Sequence, residues 1–429
     1  MKDGFPDLHV HLYGSLLLDD LRYLHSRNKP RWEIFRKSYA ESYGRDPVTE
    51  NLFSPSNKAL LSDYYFYLSP GNFSEFQTAF DLVISLSSTE PEELQEILQR
   101  VAERQSSHAE YRMLFSVKSS LSEFQEKISA LCEEAERINK SRSKLNCITI
   151  ASSLHREDDL CFDEYAVLKQ LQKNNKSVMN TLSAVDFCAK EEGFPPGDKK
   201  KFIEQVQYDN RIDPSNALAV LYHVGESYSD KTLESAVRWV CEAAEFGAHR
   251  LGHAAVLGVK TESFSGKTGI ESRKERTDHL KFLLKNEISL KESGYEMNRK
   301  QILEELNTEN TGNYSINYDA KNLRNLEIFQ NWSMDRIREY GAVIECCPSS
   351  NLRIAGVESM KVHPVKRFLQ RGLAVVVGSD DPGILSTRIE DEFGIVFEQD
   401  YTDSDMRKKI TEDSETYRSL NAVRKTNGS

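Results

Sequence analysis

The chain has no apolar run of about 18 residues, the length a membrane-spanning helix needs, and its N-terminus is too polar for a signal peptide. It has no Cys-x-x-Cys pair. Its seven cysteines are scattered, an odd count that favours reduced thiols and argues against a four-cysteine structural zinc. Positive charge is not in excess either: 56 Lys plus Arg face 67 Asp plus Glu, a net charge of -11. That balance argues against a nucleic-acid or general polyanion binder and leaves room only for a local basic pocket. Internal repeats and low-complexity tracts are absent too. Together these absences predict a cytoplasmic protein with no membrane contact and no nucleic-acid partner.

What is present is alternation. Strand-like runs at 6-12, 109-116, 147-152, 178-187, 217-223, 249-253, 341-346 and 373-378 are separated by helix-like segments. In 91-105, Leu94, Ile97, Leu98 and Val101 form a helical stripe and Pro91 suits the first turn. In 231-246, Leu233, Val237, Val240, Cys241 and Ala244 share one face and Gly247 is the natural stop. Eight strand-helix units predict an α/β fold, a TIM-type (β/α)8 barrel spanning 1-429 as a single domain. Two stretches exceed the bare barrel. Residues 15-85, rich in aromatics, predict a helical lid after strand 1. The charged run 257-335, with an Asn-rich part near 307-317, predicts an insertion between strands 6 and 7. It is a solvated excursion or a surface for self-association or another partner.

Barrel active sites gather at the carboxyl ends of strands, which gives five polar residues a common destination. His9 and His11 end the first strand, and alternation places them on one face, with Leu8, Val10 and Leu12 on the other. His223 ends the fifth strand, His253 the sixth, and Asp380 follows the eighth. A catalytic zinc needs three or four imidazole or carboxylate ligands and an open position for water, and His9, His11, His223 and Asp380 supply such a set. His253 and Glu226 then remain for proton transfer. Each histidine alone reads as a hydrogen-bonded core residue, but their shared location at strand ends favours a metal site. His108-Ala109-Glu110 matches half of a cytidine-deaminase zinc signature, yet the partner P-C-x-x-C is missing, so it carries no function. Lys199-Lys200-Lys201 reads as a solvated helix start.

Six segments in order, His9-Val10-His11-Leu12-Tyr13-Gly14-Ser15, Glu191 to Pro196, His223-Val224-Gly225-Glu226, Leu251-Gly252-His253, Cys347 to Asn351 and Ser379-Asp380-Asp381-Pro382, give the chain its resemblance to the adenosine/AMP deaminase family of the metal-dependent amidohydrolases. The resemblance implies hydrolytic deamination of an adenine nucleoside or nucleotide. It implies one Zn2+ per chain on His9, His11, His223 and Asp380, with Glu226 as proton donor and His253, with Asp380, acting on the attacking water. It further implies that Asp381 holds purine N7 and that the backbone near Ala189 meets N3.

Departures from the family pattern bear on substrate. Tyr13 stands where adenosine deaminases carry an acidic residue for the ribose 5′-hydroxyl, which admits a 5′-substituted substrate. The segment 252-258, with Asn351-Leu352-Arg353, is similar to divergent bacterial deaminase-like proteins of antiviral defence, and implies a defence-system partner through 257-335. Asn351 and Arg353 become candidate substrate contacts, and Arg353 and Arg250 candidate phosphate contacts, against a plainer reading of both arginines as structural salt bridges. Ala189 replaces the family's usual glycine, and Lys190 beside it raises a second reading, a binuclear amidohydrolase with a carboxylated lysine bridging two metals. A third reading is an inactive barrel that serves as a binding or assembly module.

Overall fold

The computed structural model describes residues 4–105, 107–143, 146–308 and 312–419. Its strands are β1 (Asp7–His11), β2 (Ala109–Met113), β3 (Ile148–Ser153), β4 (Leu182–Phe187), β5 (Ala219–Val224), β6 (Arg250–His253), β7 (Thr268–Glu271), β8 (Tyr314–Asn317), β9 (Val343–Cys346) and β10 (Val375–Val377). Eight of them pair in parallel in the order β1-β2-β3-β4-β5-β6-β9-β10, with helices between, which makes the fold a TIM-type barrel. The ring closes just beyond β10, where Asp380 N donates to His9 O at 2.8 Å and His11 N donates to Asp380 O at 2.8 Å. Closure and candidate chemistry therefore share the same three residues.

Local sequence explains the boundaries. Pro91 opens the helix Pro91–Glu103, whose Leu94, Ile97, Leu98 and Val101 are buried. Thr232 caps the helix Leu233–Phe246 through Ser235 N, and Gly247 ends it in the left-handed region at φ 106°. The expected fourth strand begins late. Residues 176–181 form a helical turn instead, because the Asn175 side chain accepts from Ser177 N and Val178 N and so favours helix over strand.

Strict alternation fails in β1. The pairing with β2 shifts register between Asp7 and Val10, a bulge that turns Leu8 away from the face of Val10. Leu8 packs with Val343 and Val376, whereas Val10 and Leu12 join the main core. Val343 shares its strand face with Glu345, whose carboxylate meets His9. The expectation that Leu8 and His9 take opposite faces is corrected by that bulge.

The helices Leu18–Arg27, Trp32–Tyr43, Lys58–Tyr65 and Phe73–Leu86 occupy the predicted lid region. Phe35 and Tyr39 meet Tyr64 edge-on there, with ring centroids 5.3 and 5.1 Å apart. The insertion after β6 carries the antiparallel pair β7-β8, with three helices between its strands. It ends sooner than expected. The helix Ala320–Tyr340 buries Leu323, Leu326, Phe329 and Ile337 and packs as the connection before β9, so charge on its outer face had disguised a barrel helix. Residues 309–311 of the Asn-rich part lie outside the described residues. Among the described residues no helix is long and apolar enough to cross a membrane.

Candidate active site

The strand ends bring His9, His11, His223, His253, Glu226 and Asp380 together at the carboxyl face of the barrel, where all but the fully buried His9 line one cavity of about 460 Å³. His11 Nε2 lies 3.3 Å from His223 Nε2 and 3.4 Å from Asp380 Oδ1. His9 Nε2 lies 3.5 Å from the same carboxylate oxygen and, fully buried, has no hydrogen-bond partner. Two imidazole nitrogens facing each other beside a carboxylate, with a third nitrogen orphaned, fit a cation among them. The donor set of nitrogen and oxygen suits zinc.

Partners behind the ligating atoms fix the imidazoles. Glu345 Oε2 lies 2.8 Å from His9 Nδ1, and Asp186 Oδ1 lies 3.2 Å from His223 Nδ1. Each carboxylate holds the proton on Nδ1 and leaves Nε2 with its lone pair toward the centre. Burial lowers His223 to about 4 and His253 well below the usual histidine range, which favours the neutral imidazoles a metal requires. Glycine makes room for this crowding. A Cβ on Gly378 would come within 2.5 Å of His9 Cβ, and one on Gly252 within 3.1 Å of His9 Cε1.

Beneath the histidines the barrel interior holds buried charges, of which the sequence reading anticipated only the salt-bridge role of Arg250. Arg112 Nη2 donates to both oxygens of Glu345 at 2.6 Å, and its Nη1 lies 3.5 Å from Asp186 Oδ2 and 3.4 Å from the ring nitrogens of His223. Arg250 donates to Glu345 at 2.7 Å and to Glu110 at 2.8 Å. The signal in the sequence was the placement of ionisable residues inside strand-like runs, as in Glu110-Tyr111-Arg112, Asp186 and Glu345. Such residues are almost never buried unless paired. Cys347, also buried, stands within metal-ligand reach of His9 and Asp380, with its thiol pushed well up by burial and so kept protonated.

Glu226 and His253 face one another, His253 Nε2 lying 3.5 Å from Glu226 Oε2 and 4.0 Å from Asp380 Oδ2. Burial, then the charges of Asp380, Glu191 and Glu192, pushes the Glu226 carboxyl well above the usual carboxylate range. Asp381 is raised likewise by burial and by Asp380 and Glu226, and its buried Oδ1 has no hydrogen-bond partner. Asp380 moves the other way. Burial opposes its charge, yet the imidazoles of His11 and His9, 3.4 and 3.5 Å from its Oδ1, hold it well below the usual range. Three site residues take left-handed backbone conformations: Ala189 at φ 62°, His253 at φ 64° and Asp380 at φ 62°. For residues other than glycine such conformations cost energy and cluster at functional sites.

The substrate candidates divide. Ala189 and Asp381 line the cavity. Tyr13 lines it too, but its hydroxyl donates to Glu93 at 2.7 Å in a buried bond, so it is committed elsewhere than a substrate's 5′ end. Asn351 is a support: its Nδ2 lies 3.3 Å from His253 Nδ1. Arg353 is turned away, donating to the carbonyls of Tyr67 and Leu385, and Arg250 is spent on Glu110 and Glu345, so neither reaches the cavity as a phosphate contact. Lys190 is exposed on the loop after β4 and does not line the cavity, which removes the carboxylated-lysine bridge. Asp186 holds the interior position on that strand instead.

Residues 301–420 match the family model described as adenosine deaminase. An adenosine deaminase of Plasmodium gallinaceum is 42% identical over 57 residues, 13% of this chain and 16% of that relative, so the match spans about a sixth of the relative's length. The fold extends further than the sequence match. An adenine deaminase from Arthrobacter aurescens superposes with a TM-score of 0.53 at 16% identity, covering 100% of both chains. An amidohydrolase from Burkholderia ambifaria with bound Zn gives a TM-score of 0.53 at 12% identity over 99% of this chain and 92% of its own. The sequence likeness to the adenosine deaminases thus rests on the C-terminal part of the chain, and the likeness to the solved structures along the whole chain is one of fold.

Proposed function

We propose that this chain, a relative of the adenosine deaminases, is a metal-dependent hydrolase that replaces the 6-amino group of an adenine nucleoside or nucleotide by oxygen and releases ammonia. The observation that carries the reading is the approach of His9, His11, His223 and Asp380 to one another beside Glu226, whose carboxyl burial pushes up, and His253, whose imidazole burial pushes down. In this reading those first four residues hold one Zn2+. Zinc bound there supplies a hydroxide equivalent at neutral pH by acidifying water.

The residues of the chain then divide the proton work. Glu226, kept protonated by burial, donates to N1 of the purine and draws electrons out of the C6–N1 double bond. Asp380, ionised, accepts a proton from the attacking water as the C6–O bond forms. His253 receives a hydrogen bond from Asn351 on Nδ1 and so carries its proton on Nε2, toward Asp380 and Glu226. It orients the water oxygen as a donor, a narrower role than sharing in deprotonation. Asp380 returns its proton to the amino group, the C6–N6 bond breaks, and ammonia leaves. The proton of the remaining hydroxyl restores Glu226, and the product is the 6-oxo purine. Asp381, neutral and with an unused oxygen, donates to N7, and the backbone at Ala189 meets N3.

The test is Glu226→Gln in zinc-loaded protein given adenosine, AMP and ATP separately, with the 6-oxo product followed by chromatography. Wild type converts one or more of them, and the variant loses about 10²–10⁴ in turnover while metal content and melting temperature hold. Unchanged turnover in the variant, or no product from a wild type shown to hold zinc, overturns the reading.

A further inference from the structure

The cavity has a second end. Besides the histidines it is lined by Ile34, Phe73, Phe76 and Phe80 of the inserted helices and by Arg31, Lys118, Ser87, Thr89 and Ser116, and of these Arg31, Lys118 and Ser116 are exposed and mark its rim. Among the described residues the only carboxylates lining it are Glu226, Asp380 and Asp381, which stand beside the histidines. The rim therefore carries cations alone, in a chain whose net charge is -11.

These cations are held but not neutralised. Arg31 Nη2 donates to the carbonyls of Ile84 and Ser87, each at 2.7 Å, which clamps the guanidinium against the end of a lid helix. Among the described residues neither Arg31 nor Lys118 has a carboxylate within 4.0 Å. A third cation stands behind them. Lys127, 7% exposed, donates to Thr89 Oγ1 and Ser119 Oγ at 3.3 Å, again with no carboxylate within salt-bridge distance among the described residues. Glu93, close to Thr89 and Ser87, is already bonded by Tyr13, Ser87, Ser88 and Asn28 and does not line the cavity. A cavity acidic and metal-binding at one end and cationic at the other fits a ligand with a neutral heteroaromatic end and an anionic end.

We propose that Arg31 and Lys118, supported by Lys127 and the hydroxyls of Thr89 and Ser116, form a phosphate subsite, so that the substrate is a 5′-phosphorylated adenine nucleotide rather than the free nucleoside. This rests on the deaminase reading of the base. It also relocates the residues that read the 5′ end, from Tyr13 on the first barrel strand's loop to the rim.

Two measurements on the zinc-loaded full chain test it. In the first, kcat/KM is compared for adenosine, AMP and ATP in wild type and in the double variant Arg31→Gln/Lys118→Gln. Wild type favours a nucleotide over adenosine, and the variant loses about 10- to 100-fold of that preference, chiefly through KM, with a shallower salt dependence. A wild type that prefers adenosine, or a preference that survives the double substitution, overturns the subsite. In the second, binding of inosine 5′-monophosphate and triphosphate is followed by calorimetry, which needs no turnover. Weaker binding in the variant supports the subsite even where no adenine compound is deaminated, a result that sinks the deaminase reading alone. Equal binding to both proteins sinks the subsite alone.

Discussion

Glu345, at the base of the cavity, takes hydrogen bonds from Arg112 and Arg250 and pairs with His9, all fully buried. Arg31 and Lys118, at the rim, have no carboxylate partner among the described residues and remain exposed. The base is built on strands, so each side chain has a position set by sheet register and a charge answered by a neighbour. The rim is built on loops, and water solvates its charges. A metal site and its proton donors need fixed geometry, which the closed ring of paired strands supplies. Recognition of a flexible, hydrated anion needs exposed charge rather than a buried position set by sheet register, and Arg31 stays exposed while its Nη2 is tied to the carbonyls of Ile84 and Ser87. The two ends therefore differ in what a substitution costs.

The sharpest way to break the comparison is Glu345→Gln. Two guanidinium groups would share a neutral amide in a dry interior, and the expected loss is about 3–5 kcal/mol in urea unfolding, with the loss of one partner of a buried pair as the cause. Removing both rim cations should cost no more than about 1 kcal/mol, from the bonds Arg31 makes to the helix-end carbonyls, because exposed charges themselves contribute little. Comparable losses at the two ends would show that the rim is as structural as the base.

Acid should discriminate the same way. Burial by itself would raise the Glu110 carboxyl, but Arg250 and then His108 hold it down at about 2. A carboxyl depressed in the folded state stabilises above its unfolded value and stops doing so as pH falls from about 4.5 through 2. The acid limb of wild-type stability should therefore steepen in that window, by about 2–3 kcal/mol in all, and Glu110→Gln should flatten it. An equally steep limb in the variant would assign acid unfolding elsewhere.

How much of this was legible follows the same division. His9, His11, His223 and Asp380 were readable because strand-end position is a local property, set by where an apolar run stops. The barrel was readable because eight such runs alternate with helical periodicity. The charged layer below was not assembled from sequence, since Glu110, Arg112, Asp186, Arg250 and Glu345 come from four strands and meet only when the ring closes. The rim escaped notice for a related reason: Arg31 and Lys118 lie far apart in sequence, on loops with no periodic pattern. Arg353 was misread because proximity to a motif does not reveal which way a side chain turns, and the carbonyls of Tyr67 and Leu385 claim it. The bulge in β1 likewise broke an alternation that nothing in Asp7-Leu8-His9 announces.

The smallest effect separates backbone strain at the two ends. Ala189, on the loop after β4, sits at φ 62° and Thr89, at the cationic end, at φ 55°, both in the left-handed region that glycine enters without cost. Ala189→Gly should stabilise the protein by up to about 1 kcal/mol, because relief of the strained backbone exceeds the entropy that glycine adds to the unfolded chain. Thr89→Gly should gain less, although threonine is branched and the more strained of the two, since Lys127 would lose the hydroxyl its ammonium donates to. Denaturant midpoints for the two variants decide the matter. If Thr89→Gly proves the more stabilising, the bond to Lys127 contributes nothing to the fold, and Thr89 holds its strained conformation for some purpose other than supporting that cation.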